Sequence, residues 1–392
     1  MNKLFWLITL LFLCNSCHSA SNEQKSQADD TLPIKLGAAR LDAYLPLVAG
    51  KNIGLVINHT SLVNNTHLLD TLVALEVQVT KIFSPEHGFR GEKGAGELVD
   101  SGIDQVTGLP IISLYGNHKK PTEEDFANLD MIIFDIQDVG TRFYTYISTM
   151  HYVMEACAEN NLPLIVLDRP NPNGMYIDGP VLEPAFRSFV GMHPIPVLHG
   201  CTVGELAKMI NAEKWLKQGL QCNLSVIAME NYNHQLDYEL PVKPSPNLPN
   251  QQSIKLYPSL CFFEGTIVSI GRGTPYPFQV IGHPKSNFDH FTFIPKDVPG
   301  AAVDPKHEGD QCHGHDLRKV DLAGGINLSY LLKYYEQLNH LDFFTSYFDT
   351  LAGTDELRKQ IIAGLDEEAI RISWAEPITR YKTIREKYLI YD

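Results

Sequence analysis

The chain has 392 residues, 44% hydrophobic and 20% charged, with a formal net charge of −14 at pH 7. That length accommodates two domains with ordinary cores, and the composition excludes wholesale disorder. The negative charge argues against non-specific nucleic-acid binding, which needs a cationic surface, but leaves room for a small anionic substrate held by local Arg or Lys.

The N-terminus reads as a targeting segment. Lys3 precedes an apolar run over residues 4–13, too short to span a bilayer but suited to a signal peptide. Ser16-Cys17 resembles a lipoprotein processing site that would leave Cys17 lipidated, although Cys14 and Asn15 replace the usual aliphatic and small residues. Cleavage after Ala20 is the simpler alternative. Either route predicts a periplasmic or cell-surface protein, and lipidation adds a membrane anchor. Residues 18–33 are polar and read as a tether. Five cysteines follow: Cys157, Cys201, Cys222, Cys261 and Cys312. Their wide spacing, odd number and lack of a CxxC pair argue against a disulfide framework or structural zinc site.

Apolar runs then alternate with helix-like segments. Strands are expected over 53–57, 79–83, 111–114, 131–136, 164–167 and 224–228. Helices are expected over 67–77, 144–159 and 202–212, the last with Thr202 as N-cap and Glu205 completing a capping box. Near-continuous apolar strands separated by helices predict an α/β, Rossmann-like doubly wound parallel sheet over 34–250. It is not a dinucleotide binder, because the first strand ends in Asn58-His59-Thr60-Ser61 instead of GxGxxG. Pro241, Pro244, Pro246, Pro249 and Pro258 argue against a long helix or central strand and read as a link. A smaller C-terminal α+β domain over 251–392 is expected to complete a cleft, with helices near 328–338 and 355–365. Gly271-Arg272-Gly273-Thr274 lacks the ending of a phosphate loop and reads as a tight turn that presents Arg272. Cys312-His313-Gly314-His315-Asp316 has metal-capable side chains at no standard spacing and reads as a solvated loop.

Parallel strands share a carboxyl end, where open α/β sheets bind ligands. Four expected strands end in polar residues: Asn58-His59, Ser84 to Arg90, Asp135 to Arg142, and Asp168-Arg169-Pro170-Asn171. Glu86, beside His87 and Arg90, is the leading acid/base candidate. Asp135 lies inside an apolar strand, where a carboxylate is costly unless paired, with Arg142 or Arg169 as the available partners. No GxSxG elbow supports an esterase. Two other readings use the same residues. His59, His87, Asp135 and Asp138 would be the ligands of a metal-dependent hydrolase, and a non-catalytic glycan-binding lipoprotein would keep the cleft and the arginines.

Several stretches taken together resemble the bacterial exo-β-N-acetylmuramidases of the NamZ type, formerly a domain of unknown function. They include Ser84-Pro85-Glu86-His87-Gly88-Phe89-Arg90-Gly91, Leu109 to Gly116, Phe134 to Tyr146, Asp168-Arg169-Pro170-Asn171-Pro172 and Asp178-Gly179-Pro180-Val181-Leu182. Ser245 to Pro249 and Phe263-Glu264-Gly265-Thr266, running into Gly271 to Pro277, extend the likeness into the second half. Cys201 departs from the Met or Leu expected there. The resemblance implies a glycoside hydrolase that takes N-acetylmuramic acid from the non-reducing end of peptidoglycan fragments, with no cofactor or metal. Glu86 is then the expected general acid, held protonated by partial burial, with Asp135, Asp138 and Glu264 as candidate partners. Arg90, Arg142 or Arg272 would hold the lactyl carboxylate, since Arg matches carboxylates bidentately. Tyr144 would stack on the sugar, and His59, His87 and Asp168 would complete the binding set.

Overall fold

A computed structural model describes residues 32–86, 88, 89, 102–322 and 324–392. The signal segment, Cys17 and the tether up to residue 31 lie outside the described residues. Ile34–Asp392 form one compact unit.

Its centre is a seven-stranded sheet built from β1 (Ile53–Ile57), β2 (Val79–Ser84), β3 (Gly102–Ile103), β4 (Pro110–Ser113), β5 (Met131–Asp135), β6 (Leu164–Leu167) and β7 (Leu224–Ile227). The strand order is β7-β6-β5-β1-β2-β4-β3, all parallel except the short edge strand β3. Strand order reverses between β1 and β5, so their carboxyl ends form the topological switch point.

Both faces are covered, which is why the strands read as continuous apolar runs. Leu55, Ile57, Ile133 and Ile165 pack with Tyr44 of α1 (Leu41–Val48) and Leu68 and Leu72 of α2 (Leu68–Ala74). Val56, Phe134 and Val166 point the other way, onto α3 (Tyr146–Glu159) and α4 (Val203–Ala212). The α4 capping box forms as expected, with Thr202 N–H donating to Glu205 Oε2 at 2.9 Å and Glu205 N–H to Thr202 Oγ1 at 3.2 Å.

The proline-rich link differs in one respect. Pro258 sits inside α5 (Gln251–Leu260), a 10-residue helix capped at Asn250. Its position in the last turn limits the lost backbone bond to the Ile254 carbonyl. Beyond it, β8 (Val280–His283), β9 (Phe291–Phe293) and β10 (Cys312–Asp316) form an antiparallel sheet in the order β8-β10-β9. The Cys312 to Asp316 segment is therefore the central strand of that sheet and not a solvated loop. Its alternation decides this: Cys312 and Gly314 face inward, and a Cβ at Gly314 would collide with the Ile281 carbonyl. Four helices finish the smaller part: α6 (Ser329–Leu338), α7 (Tyr347–Ala352), α8 (Glu356–Ile362) and the 19-residue α9 (Glu367–Arg385). The described cysteines are all buried and unbridged.

Candidate active site

The carboxyl edge of the sheet opens into a cleft of about 580 Å³, walled by loops of the parallel sheet and by segments of the smaller part. Glu86 projects into it from the turn after β2, which Gly88 closes by donating its N–H to the Pro85 carbonyl at 3.1 Å, with φ +77°. The half-buried carboxylate is held at both oxygens. Tyr115 donates to Oε1 at 3.0 Å and Thr145 to Oε2 at 3.2 Å. Tyr146 fixes the backbone beneath by donating to the Glu86 carbonyl at 3.3 Å. Thr145 is the N-cap residue of α3, so the carboxylate lies at the positive end of a 14-residue helix. A hydroxyl donates to a carboxylate and equally accepts from a carboxylic acid, so this cradle orients Glu86 in either protonation state.

A second cleft carboxylate, Glu264, comes from the 3₁₀ turn Cys261–Gly265 after α5. Its Oε1 accepts from Arg272 Nε and Nη2, both at 2.6 Å. Burial would lower the Arg272 pKa, but the Glu264 carboxylate outweighs it and holds the guanidinium above its usual value. Lys306 donates to the carbonyls of Phe263, Glu264 and Thr266, and burial draws its ammonium down to about 8. Tyr347 of α7 stands on the rim. Desolvation, then Cys261, Glu264 and Glu86, raise its hydroxyl pKa, so one side chain feels both carboxylates.

The other expected site residues go elsewhere. Asp135, a candidate catalytic partner whose place inside an apolar strand called for a pair, follows Ile133 on the α1/α2 face and forms a buried ion pair with Arg169, Nε to Oδ1 at 2.6 Å and Nη2 to Oδ2 at 2.8 Å. Asp138 is also buried and lies off the cleft wall; its Oδ2 accepts the Gly140 N–H at 2.7 Å and lies 3.5 Å from His199 Nε2. His59 stands 2.9 Å from the Lys243 carbonyl through Nε2, also outside the cleft lining. Asp168 is buried outside the cleft lining, where it caps α4. It accepts from Gly204 N–H at 2.8 Å, Thr202 at 2.7 Å and Tyr391 at 2.7 Å, and burial raises its pKa to about 6.

Arg142 is the largest departure. It is fully buried and donates Nη1 to the carbonyls of Pro180 and Ile195 at 2.7 and 2.8 Å, and Nη2 to those of Leu351 and Ala352 at 3.0 and 2.6 Å. The last two carbonyls end α7, so Arg142 fixes the helix that carries Tyr347 instead of holding a ligand. Tyr144 does line the cleft, but its hydroxyl donates to the Pro244 carbonyl at 2.8 Å and its ring packs edge-on against Tyr146 and Tyr257. His87 and Arg90 lie outside the described residues. Among the described residues, no three His, Cys, Asp or Glu side chains are placed to hold a metal ion.

The exo-β-N-acetylmuramidase NamZ N-terminal profile matches residues 53–252, and the corresponding C-terminal profile matches 255–391. The chain is 41% identical to the peptidoglycan β-N-acetylmuramidase NamZ of Bacillus subtilis (strain 168), over 97% of each chain. The chain belongs to the NamZ family. Two DUF1343 family proteins of Bacteroides fragilis NCTC 9343, solved as crystal structures, are similar to it, each match covering 92% of this chain and 99% of the other. One gives a TM-score of 0.86 at 46% identity and the other 0.76 at 31%. The NamZ cleft also contains Tyr115, Lys119, Thr145, Lys306 and Tyr347, which the sequence reading left without a role. Tyr115 and Thr145 fall inside stretches that carried the resemblance, so their signal was present. Tyr347 had none, because a six-residue helix offers too few turns to reveal which face it presents.

Proposed function

We propose that this protein is an exo-acting glycoside hydrolase that releases N-acetylmuramic acid from the non-reducing end of peptidoglycan fragments, with Glu86 as general acid. The observation that carries the reading is the Glu86 cradle: a cleft carboxylate fixed at both oxygens at the sheet's carboxyl edge, with Glu264 as a second carboxylate in the same cleft. Glycoside hydrolysis needs a proton for the leaving oxygen and stabilisation of an oxocarbenium-like centre. In this reading Glu86 supplies the proton. Glu264, paired with Arg272, supplies the negative charge, acting on the anomeric centre directly or by orienting the sugar's N-acetyl group. The full chain incubated with a disaccharide bearing non-reducing N-acetylmuramic acid should yield that sugar as the free product, detected by mass spectrometry. An intact disaccharide would defeat the proposal.

The reading extends to location. The apolar run over residues 4–13 and Ser16-Cys17 support a lipoprotein anchored through Cys17, at the cell surface or in the periplasm. Cys17→Ser should move the enzyme from the membrane fraction to the soluble fraction on cell fractionation. An unchanged distribution would rule out the lipid anchor.

A further inference from the structure

We infer that Lys119 helps select a carboxylate-bearing sugar, by pairing with the lactyl carboxylate of muramic acid in the cleft. This rests on the proposed function and supplies the specificity determinant it lacks.

The argument is one of elimination and direction. Three cationic side chains line the cleft among the described residues: Lys119, Arg272 and Lys306. Arg272 is committed to Glu264 at 2.6 Å through two nitrogens. Lys306 is committed to three backbone carbonyls, and burial weakens its charge, with a pKa drawn down to about 8. Arg142, which the sequence suggested, is buried away from any ligand. Lys119 alone of the three has no carboxylate or carbonyl partner; its ammonium lies 4.6 Å from the centre of the Phe189 ring, another cleft residue.

The neighbouring residues fix its direction. Lys120 turns to α3, where it pairs with Glu155 and Glu159, each at 2.7 Å. At the other end of the same loop Tyr115 donates to Glu86. The loop is thus pinned at both ends, and Lys119 is held over the Phe189 ring in the cleft that Glu86 also lines. A half-buried ammonium on an aromatic face gains a cation–π contact while its N–H donors stay available. An anionic group entering the cleft gains a charge-assisted hydrogen bond, which a sugar without a carboxylate does not. In a protein of net charge −14, this local cation overrides a repulsive field.

The test compares chromogenic β-glycosides of N-acetylmuramic acid, of its lactyl amide and of N-acetylglucosamine. The kcat/KM ratio of free acid to amide should fall by about 10–100-fold in Lys119→Gln, the range of a charged hydrogen bond, and Lys119→Arg should recover much of it. An unchanged ratio, or an equal fall on all three substrates, would overturn the assignment. Calorimetry with free N-acetylmuramic acid on the full chain separates this inference from the hydrolase reading. Binding that weakens in Lys119→Gln while wild type turns over none of the glycosides keeps the carboxylate contact and removes the enzyme. Binding indifferent to Lys119 removes the contact.

Discussion

Glu86→Gln should lower kcat on a chromogenic muramic-acid glycoside by about 10²–10⁴-fold, the ordinary worth of a positioned general acid. The amide has nearly the same shape and keeps an oxygen for Tyr115 or Thr145, so binding and melting temperature should change little. Steady-state kinetics across pH check this, because the limb due to the acid should vanish with the carboxyl group. Turnover near that of wild type would move the proton donor elsewhere in the cleft.

Arg142→Leu should instead act on the fold, destabilising it by at least about 3 kcal/mol. Three backbone carbonyls, of Pro180, Leu351 and Ala352, would lose their donor inside a closed core, while that of Ile195 keeps the Leu182 N–H, and each unmet acceptor costs about 1–3 kcal/mol. Gly353, just past α7, lets the wild-type guanidinium approach this closely: a Cβ there would lie 2.7 Å from Arg142 Nη2. Arg142→Lys has three donors for four acceptors and should fall between. Denaturant midpoints read the effect directly. A substrate clamp would leave those midpoints in place and shift only the preference among sugars, so the experiment separates the two roles.

The contrast between Glu86 and the other strand-end residues shows what sequence patterning transmits. Strand positions were legible because both faces of the sheet are covered, and 164–167 agrees residue for residue with β6. The α4 cap was legible because a capping box is local chemistry. Facing was not, since a polar residue at a strand end falls on either face and the alternation alone decides. Asp135 shares the parity of Ile133 and so meets Arg169 beneath α1, while Glu86 leaves the sheet on a turn and reaches the cleft. Arg142 misled for a related reason. A guanidinium near a cleft suggests a carboxylate, but carbonyls satisfy it equally well, and those of Leu351 and Ala352 lie more than 200 positions along the chain. The longest helix, α9, was hidden by Pro377 in its interior and by the few buried residues, Ile370, Trp374 and Tyr381, that mark its face.

Asp168 has a consequence for how the chain reaches its final state. Its Oδ2 waits for the hydroxyl of Tyr391, the next-to-last residue, while Glu205 accepts the N–H of Ile390 and His234 N–H donates to the Asp392 carbonyl. The start of α4 is thus sealed by residues 390–392, which lie far along the chain from the helix. A nascent chain holding only the parallel sheet has a carboxylate at that helix end without its final partner, and the loop that must close is 223 residues long. Closure of that helix end therefore waits on a contact of long sequence separation. Tyr391 is therefore a long-range lock on a helix whose capping box is otherwise local.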